Sequence, residues 1–457
     1  MKKQQIFSSH MKKLYNSLSQ TQVIAIGFLI MILIGTFLLM LPISSRDGEW
    51  TRFLDALFTA TSASCVTGLV VFDTFQHWSR FGQIVLILLI QTGGLGFVTI
   101  GVFFSILLRR RIGLKSRGLL QESVNTLQIG GVVRLAKKII LGTLLIEGTG
   151  AILLSLRFIP MFGFAEGVFA SVFHSISAFC NAGFDLMSRG DASYVSLTGQ
   201  VGDWVINLVI MALIIIGGIG FIVWDDITRH KWHFRRYLLH TKLVLVVTAL
   251  LIVVPSILFF LFEKDHLMAG MRPSEMVLAS LFSSVTARTA GFNTVDTGLL
   301  QDCSKFLTIM LMFVGGSPGS TAGGIKTTTL AVLVITLFSN IRKKSGCNVF
   351  GRRLADDAVR RASIVFSINL FLTLIVTLAI SALQPLPLTD ILFETISAIA
   401  TVGMSTGLTR DLNDISRVLI ILLMYCGRIG SLSFALAFTR TKQPAPVQQP
   451  VENISIG

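Results

Sequence analysis

The chain has 457 residues, 52% of them hydrophobic and only 14% charged, with mean hydropathy +0.74 and a formal net charge of +15. A soluble domain carries about 25% charged residues, so these values exclude an ordinary soluble fold and indicate an all-α polytopic membrane protein. The charge does not single out nucleic acid. The basic clusters RRRIGLKSR (Arg109–Arg117), RHKWHFRR (Arg229–Arg236), RKKSGCNVFGRR (Arg342–Arg353) and TRTK (Thr439–Lys442) fall between pairs of apolar segments, as cytoplasmic loops do, while connections such as SSRDGEW and FEKDHLM carry most of the acids.

In chain order, a basic cytoplasmic segment (1–20) leads into the uncharged run Thr21–Leu41, long enough to cross a hydrocarbon core of about 30 Å. No small-residue cleavage site follows it, so no cleavable signal peptide is expected. The next segment, DALFTATSASCVTG (Asp55–Gly68), is too short and polar to cross, and it recurs. Its counterparts are ASVFHSISAFCNAG (Ala170–Gly183), LASLFSSVTARTAG (Leu278–Gly291) and DILFETISAIATVG (Asp390–Gly403). The terminal glycines are spaced by 115, 108 and 112 residues, and the columns match: Phe58, Phe173, Leu281 or Phe393 ten residues earlier, and Ala63, Ala178, Thr286 or Ala398 five earlier. A glycine-rich point follows each copy within an apolar segment: TGGLGF (Thr92–Phe97), IGGIGF (Ile216–Phe221), VGGSPGSTAGGIK (Val314–Lys326) and CGRIGS (Cys426–Ser431).

Regular self-similarity of this kind fixes the architecture before any local detail. Four units, Thr21–Leu108, Ile139–Trp224, Leu243–Phe338 and Ser363–Phe438, each read as an outer helix, a short re-entrant pore helix and an inner helix. Two crossings per unit give eight, with both termini, including the tail 439–457, on the basic, cytoplasmic side. Non-helical backbone at membrane depth persists only inside protein or beside a water-filled cavity, so four such loops are expected to meet on a pseudo-fourfold axis.

The carbonyl ends of four converging short helices favour a cation. The following tripeptides, Val66-Thr67-Gly68, Asn181-Ala182-Gly183, Thr289-Ala290-Gly291 and Thr401-Val402-Gly403, can offer stacked rings of oxygens that replace a monovalent ion's hydration shell. Their side chains share little identity, as expected when backbone oxygens coordinate. Asp73, Asp185 and Asp296 lie just outside, fitting either a cation-concentrating mouth or loop and helix caps. In the third unit Gly315, Gly316, Ser317, Pro318, Gly319, Ser320, Thr321, Ala322, Gly323 and Gly324 occupy what would be mid-helix. Glycine costs about 1 kcal/mol and proline about 3 there, so a break is expected, forming a loop below the filter that obstructs the path. Arg428, inside the fourth inner helix, is expected either to donate to that loop's carbonyls, to put positive charge in the path, or to pair with Glu147 or Glu394. Lys326 fits a snorkelling residue or one near the path. Glu147 reads as a partner for another helix more than as a proton or sodium site, and His174 as a packed residue. Arg288 suits an acid behind the filter. Five scattered cysteines without C-x-x-C give neither a disulfide scaffold nor a zinc site. No carboxylate, histidine or nucleophile constellation indicates an enzyme. A secondary transporter of another cation or small solute is the alternative, but its inverted repeats are not matched by four units running in one direction.

The fourfold plan, the single filter glycines, TAGFN in the third unit, the glycine-rich break and GRIG in the fourth resemble the Trk/Ktr/HKT superfamily of potassium transporters over roughly Thr21–Arg440. Opening directly with the first unit, the chain looks most like the KtrB-type membrane subunit of bacterial Ktr systems. The resemblance implies potassium selectivity at the filter, a gate at Gly315–Gly324 with Arg428 beside it, and a homodimer with one pore per protomer in the bacterial cell membrane. It also implies a cytoplasmic ring of KtrA-type nucleotide-binding subunits docked on the loops at Arg109–Arg117, Arg229–Arg236 and Arg342–Arg361. Nucleotide is then expected on the partner, because GGLGF and GGIGF lie in apolar spans rather than in strand-to-helix turns. Potassium is the substrate and this chain holds no cofactor; sodium coupling is left open.

Overall fold

The structure, a computed structural model, describes residues 18–108, 113–124, 130–189, 193–231, 233–343, 346–430 and 452. Most of the two terminal segments, the start of the first basic cluster at 109–112 and the end of the fourth unit at 431–438 lie outside these residues.

The first unit comprises α1 (Gln20–Met40), α2 (Phe53–Cys65), α3 (Thr74–His77), α4 (Arg80–Leu95) and α5 (Phe97–Leu107), and α6 (Leu114–Val124) joins it to the second. The second holds α7 (Val132–Phe162), α8 (Phe164–Phe179), α9 (Trp204–Gly218) and α10 (Phe221–His230). The third holds α11 (Leu239–Glu263), α12 (Pro273–Thr286), α13 (Asp302–Phe313) and α14 (Thr327–Ile341). A small hairpin, β1 (Asn348–Val349) with β2 (Arg352–Arg353), precedes the fourth, which holds α15 (Asp356–Leu383), α16 (Leu388–Ile399) and α17 (Asp414–Ile429).

The outer helices α1, α7, α11 and α15 are each long and apolar enough to span a bilayer. Their outward side chains, such as Ile34, Leu145, Val253 and Leu378, are exposed, which suits a helix whose solvent is lipid. Each packs against the short helix that follows it. The short helices α2, α8, α12 and α16 are buried over most of their length, with Phe58, Phe173, Phe282 and Phe393 fully enclosed.

The inner helices are shorter than the outer ones. They have 16, 15, 12 and 16 residues, or about 24, 22, 18 and 24 Å at 1.5 Å per residue, short of the roughly 30 Å core. The sequence singles out only the third for a break, yet the first two also turn sharply, by 95° into α5 and 96° into α10. Gly96 and Gly220 absorb the turns at φ +80° and +98°, and α17 ends at Gly430, φ +93°. Such φ values are open to glycine at little steric cost. The reason lies one turn earlier. Gly93, Gly217 and Gly427 press against the backbone carbonyls of Ser64, Phe179 and Ile399, leaving no room for a Cβ. These glycines let the first, second and fourth inner helices seat directly on the end of a short re-entrant helix.

Candidate ion-binding site

The four re-entrant helices end in one repeated conformation. Two residues before each filter glycine the chain is left-handed: Val66 (φ +57°), Asn181 (+57°), Thr289 (+68°) and Thr401 (+51°). Three of these are β-branched, for which positive φ is a genuine outlier. Gly68, Gly183, Gly291 and Gly403 follow at φ +96°, +69°, +81° and +86°. Strain repeated four times persists only where the surroundings impose it.

The glycines meet in a closed ring. A Cβ on Gly68 would lie 2.5 Å from the Ala182 oxygen, on Gly183 2.8 Å from that of Ala290, and on Gly291 2.5 Å from that of Val402. One on Gly403 would strike the Thr67 oxygen and stand 2.8 Å from Gly68 Cα, closing the circle. Units one to four therefore contact in sequence order around one axis.

The backbone donors of these loops are used on the far side. Thr67, Ala182 and Val402 N–H groups donate to the carbonyls of Ser62, Ser177 and Ser397, each at 2.8 Å, and Ala290 N–H donates to Thr286 at 2.9 Å. Hydroxyls complete the frame: Ser62 and Ser397 Oγ accept from Gly68 and Gly403 N–H, while Ser177 and Thr286 donate to the carbonyls of Phe184 and Phe292. Sequence reasoning missed these hydroxyls, although Ser62, Ser177 and Ser397 share a column six residues before the glycine and Thr286 lies one residue later in its copy. By contrast, the carbonyl oxygens of Thr67, Ala182, Ala290 and Val402 accept no hydrogen bond among the described residues, though all four residues are fully buried. Buried backbone acceptors are almost always paired, so four unpaired ones converging at one place stand out in this fold.

A cavity of about 510 Å³ opens on one side of the glycine ring, lined by all four glycines and by Asp73, Asp185 and Asp296. The three acids also have structural duties. Asp73 caps α3 through Phe75 and Gln76 N–H (2.9 and 3.0 Å), and its second oxygen accepts from Tyr194 N–H at 2.7 Å. Asp185 accepts from Met187 N–H and Asp296 from Gly298 N–H. The sequence gives no sign of Tyr194, whose hydroxyl donates to the Val71 carbonyl and whose ring lies 4.2 Å from the Arg410 guanidinium. Glu394, at the back of the fourth loop, accepts from Thr409.

A second cavity of about 500 Å³ lies on the opposite side, lined by Gly94–Gly96, Phe221, Pro318–Ser320, Lys326 and Arg428. Between the two sits the third unit's loop. Its base is closed by Gly315 N–H to Ile325 O (2.8 Å) and Thr327 N–H to Gly316 O (3.0 Å). Ser317 and Thr321 N–H donate to Gly218 and Gly217, and Gly319 O accepts from Phe221 N–H, tying the loop to the bend of the second inner helix. Thr321 Oγ1 reaches Phe179 O (3.1 Å) and Asn181 Oδ1 (3.2 Å), directly beside the second of the four loops. On the other flank Gly323 abuts Thr401 and Gly324 abuts Ala400.

Arg428 spans the loop and the first unit, donating to Thr321 O at 2.5 Å, to Gly94 O at 3.0 Å and to Gly93 O. Lys326 Nζ donates to Ala322 O (2.8 Å) and Gly323 O (3.2 Å). Neither forms a salt bridge among the described residues, so pairing of Arg428 with Glu147 or Glu394 is not realised. Glu147 instead accepts from Gln91 on α4 (3.1 Å) and lies beside the Cys180 thiol. Arg288 meets Thr248 at 3.5 Å and, among the described residues, pairs with no acid. His174 is packed, bonded to Ala170 O and Leu186 N–H.

A family model for TrkH, described as a cation transport protein, matches residues 1–448. The chain is 42% identical over 453 residues to the potassium/sodium uptake protein NtpJ of Enterococcus hirae, covering 98% of this chain and 99% of that one. It is also 42% identical over 425 residues to the Ktr system potassium uptake protein B of Bacillus subtilis, covering 92% and 93%. The crystal structure of the potassium transporter TrkH from Vibrio parahaemolyticus matches the fold with a TM-score of 0.68 over 90% of this chain and 84% of that one, at 20% identity. The chain belongs to the TrkH family of cation transport proteins.

Proposed function

We propose that this chain is the ion-translocating subunit of a Ktr-type potassium uptake system, passing potassium through the ring of Gly68, Gly183, Gly291 and Gly403. The observation that carries this reading is the set of buried carbonyls, from Thr67, Ala182, Ala290 and Val402, left without donors where the four loops meet. Oxygens of this kind replace a hydration shell. The names of the 42%-identical relatives, both potassium uptake proteins, supply the cation.

The loop Gly315–Gly324 acts as the gate. It stands between the outer and inner cavities, and Arg428 and Lys326 add two positive charges on the cytoplasmic side of the filter, which oppose a cation electrostatically. Opening requires the loop to leave the Arg428 guanidinium and the carbonyls of Gly217 and Gly218. The exposed basic elements at Arg235, Arg236, Arg352 and Arg353 are the docking surface for a nucleotide-binding regulatory ring, and two copies of this chain form the membrane unit. The relative's printed name makes sodium a second candidate ion.

Flux of Na, K, Rb and Cs into vesicles holding the purified chain tests the reading. Potassium and rubidium are expected to pass ahead of sodium, and Gly291→Ser, in protein that stays folded, is expected to narrow that preference. An unchanged potassium-over-sodium ratio in that variant overturns it.

A further inference from the structure

Three arginines on the extracellular side have an acid of their own. Arg52 pairs with Asp414 (2.5 Å), Arg157 with Asp203 (2.6 Å) and Arg417 with Asp55 (2.7 Å). One group departs from this pattern where the first and second units meet. Arg80 and Arg189 share the single carboxylate of Glu166, and Arg46 has no acid among the described residues, its Nε donating to Trp78 O at 3.4 Å. Rings hold the three guanidiniums in place: Arg46 and Arg189 lie 4.2 and 4.5 Å from Phe75, Arg189 lies 3.9 Å from Phe162, and Arg80 lies 4.1 Å from Phe169. The Nε of Arg189 is buried with no partner among the described residues. The cluster thus carries two uncompensated positive charges on the side of the membrane where positive charge is least expected.

Below it runs an apolar track. Arg80 begins α4, and Ile84 (46% exposed) and Leu88 (61%) follow at four-residue intervals on the same face. Phe164 (76%), Val168 (38%) and Val172 (40%) form the matching stripe on α8. The two helices pack together and both run inward from the cluster.

We propose that Arg46, Arg80 and Arg189 bind the phosphate headgroup of an anionic phospholipid of the outer leaflet, whose acyl chains lie along the Ile84/Leu88 and Val168/Val172 stripes. Guanidiniums match phosphate geometry and are weakly hydrated, and aromatic stacking restricts them in advance, so little ordering remains to be done on binding. The apolar stripes make a lipid, rather than free phosphate, the occupant.

The test is competition binding to the purified, full-length protein, reading retained phosphatidylglycerol against phosphatidylcholine by native mass spectrometry. Phosphatidylglycerol is expected to be retained in preference, and Arg46→Gln with Arg189→Gln is expected to reduce its affinity about 30-fold, at roughly fivefold per surface charge. If that double variant fails to fold, Val172→Trp fills the track without touching the arginines, and loss of the retained lipid is again expected. Equal retention of the two lipids by the unaltered protein overturns the proposal. So does undiminished phosphatidylglycerol binding in the variants, or equal protection from heating by inorganic phosphate alone. A change in protomer association without loss of lipid assigns the patch to a second copy and also overturns it. None of these readouts depends on which cation the filter passes.

Discussion

Replacing Arg428 with glutamine probes the loop that separates the two cavities. The guanidinium donates to three carbonyls, one on the loop (Thr321) and two on the first inner helix (Gly93 and Gly94). Hydrogen bonds from a charged donor contribute about 1.5–3 kcal/mol each. Glutamine is shorter and neutral and cannot bridge both flanks, so at least one such bond is lost. The remaining ties, Ser317 and Thr321 N–H to Gly218 and Gly217 and the two bonds at the loop base, are unaffected. Weakening the obstructing position by even about 1.4 kcal/mol raises the open fraction tenfold, and removing the charge lowers the barrier further. The expected result is a rise of about tenfold or more in rubidium flux into vesicles, with potassium-over-sodium preference retained because the carbonyl ring is untouched. Flux that is unchanged or lower, in protein that remains folded and selective, refutes the reasoning that this arginine holds the loop across the path.

Other outcomes follow from the same geometry. Deleting part of Gly315–Gly324 is expected to raise flux in folded protein, read in the same vesicle assay; unchanged flux argues against a gate. Ser62→Ala and Ser397→Ala each remove the acceptor of a filter glycine N–H, at about 1–3 kcal/mol for a buried donor left alone, and are expected to lower the melting temperature and blunt ion preference together. Glu147→Ala strands the Gln91 amide, with a similar loss of stability and little change in selectivity, whereas Glu147→Gln retains an oxygen acceptor and is expected to be milder in thermal melts. Asp73→Ala removes a helix cap and the Tyr194 tether; a loss of about 1–2 kcal/mol is expected, larger than for the exposed Asp296→Ala.

The repeat made much of the architecture readable, because evenly spaced glycines with matching columns leave few ways to arrange four hairpins. The four tripeptides that come together are those the columns pick out. Several features were not readable, each for a physical reason. The bends at Gly96 and Gly220 look like packing glycines in sequence, since GGLGF and GGIGF suit a continuous apolar helix with a close neighbour as well as a break. Donation by Arg428 to the loop's carbonyls is one of the readings open from sequence, and it is met at Thr321. Backbone carbonyls are carried by every residue, so the individual partners Thr321, Gly93 and Gly94 could not be named, and the alternative acids Glu147 and Glu394 are not used. Lys326 likewise turns back onto its own loop. Asp73 and Asp296 read equally as a charged mouth or as caps; the structure shows the caps and places both side chains in the wall of the outer cavity. The Tyr194–Arg410 stack joins the second unit to the fourth across more than two hundred residues, and no local pattern announces such a contact. The Arg46, Arg80 and Arg189 cluster is hidden in the same way, because its members come from separate connections.

In the proposed pathway, backbone oxygens from four loops strip and hold one cation. A crystal structure of the protein grown with rubidium or thallium in place of potassium tests this most directly. An anomalous peak on the axis, enclosed by the carbonyls of Thr67, Ala182, Ala290 and Val402, is the predicted result. A fully ordered filter with no peak there, while the ion appears at another place in the membrane region, would contradict the account.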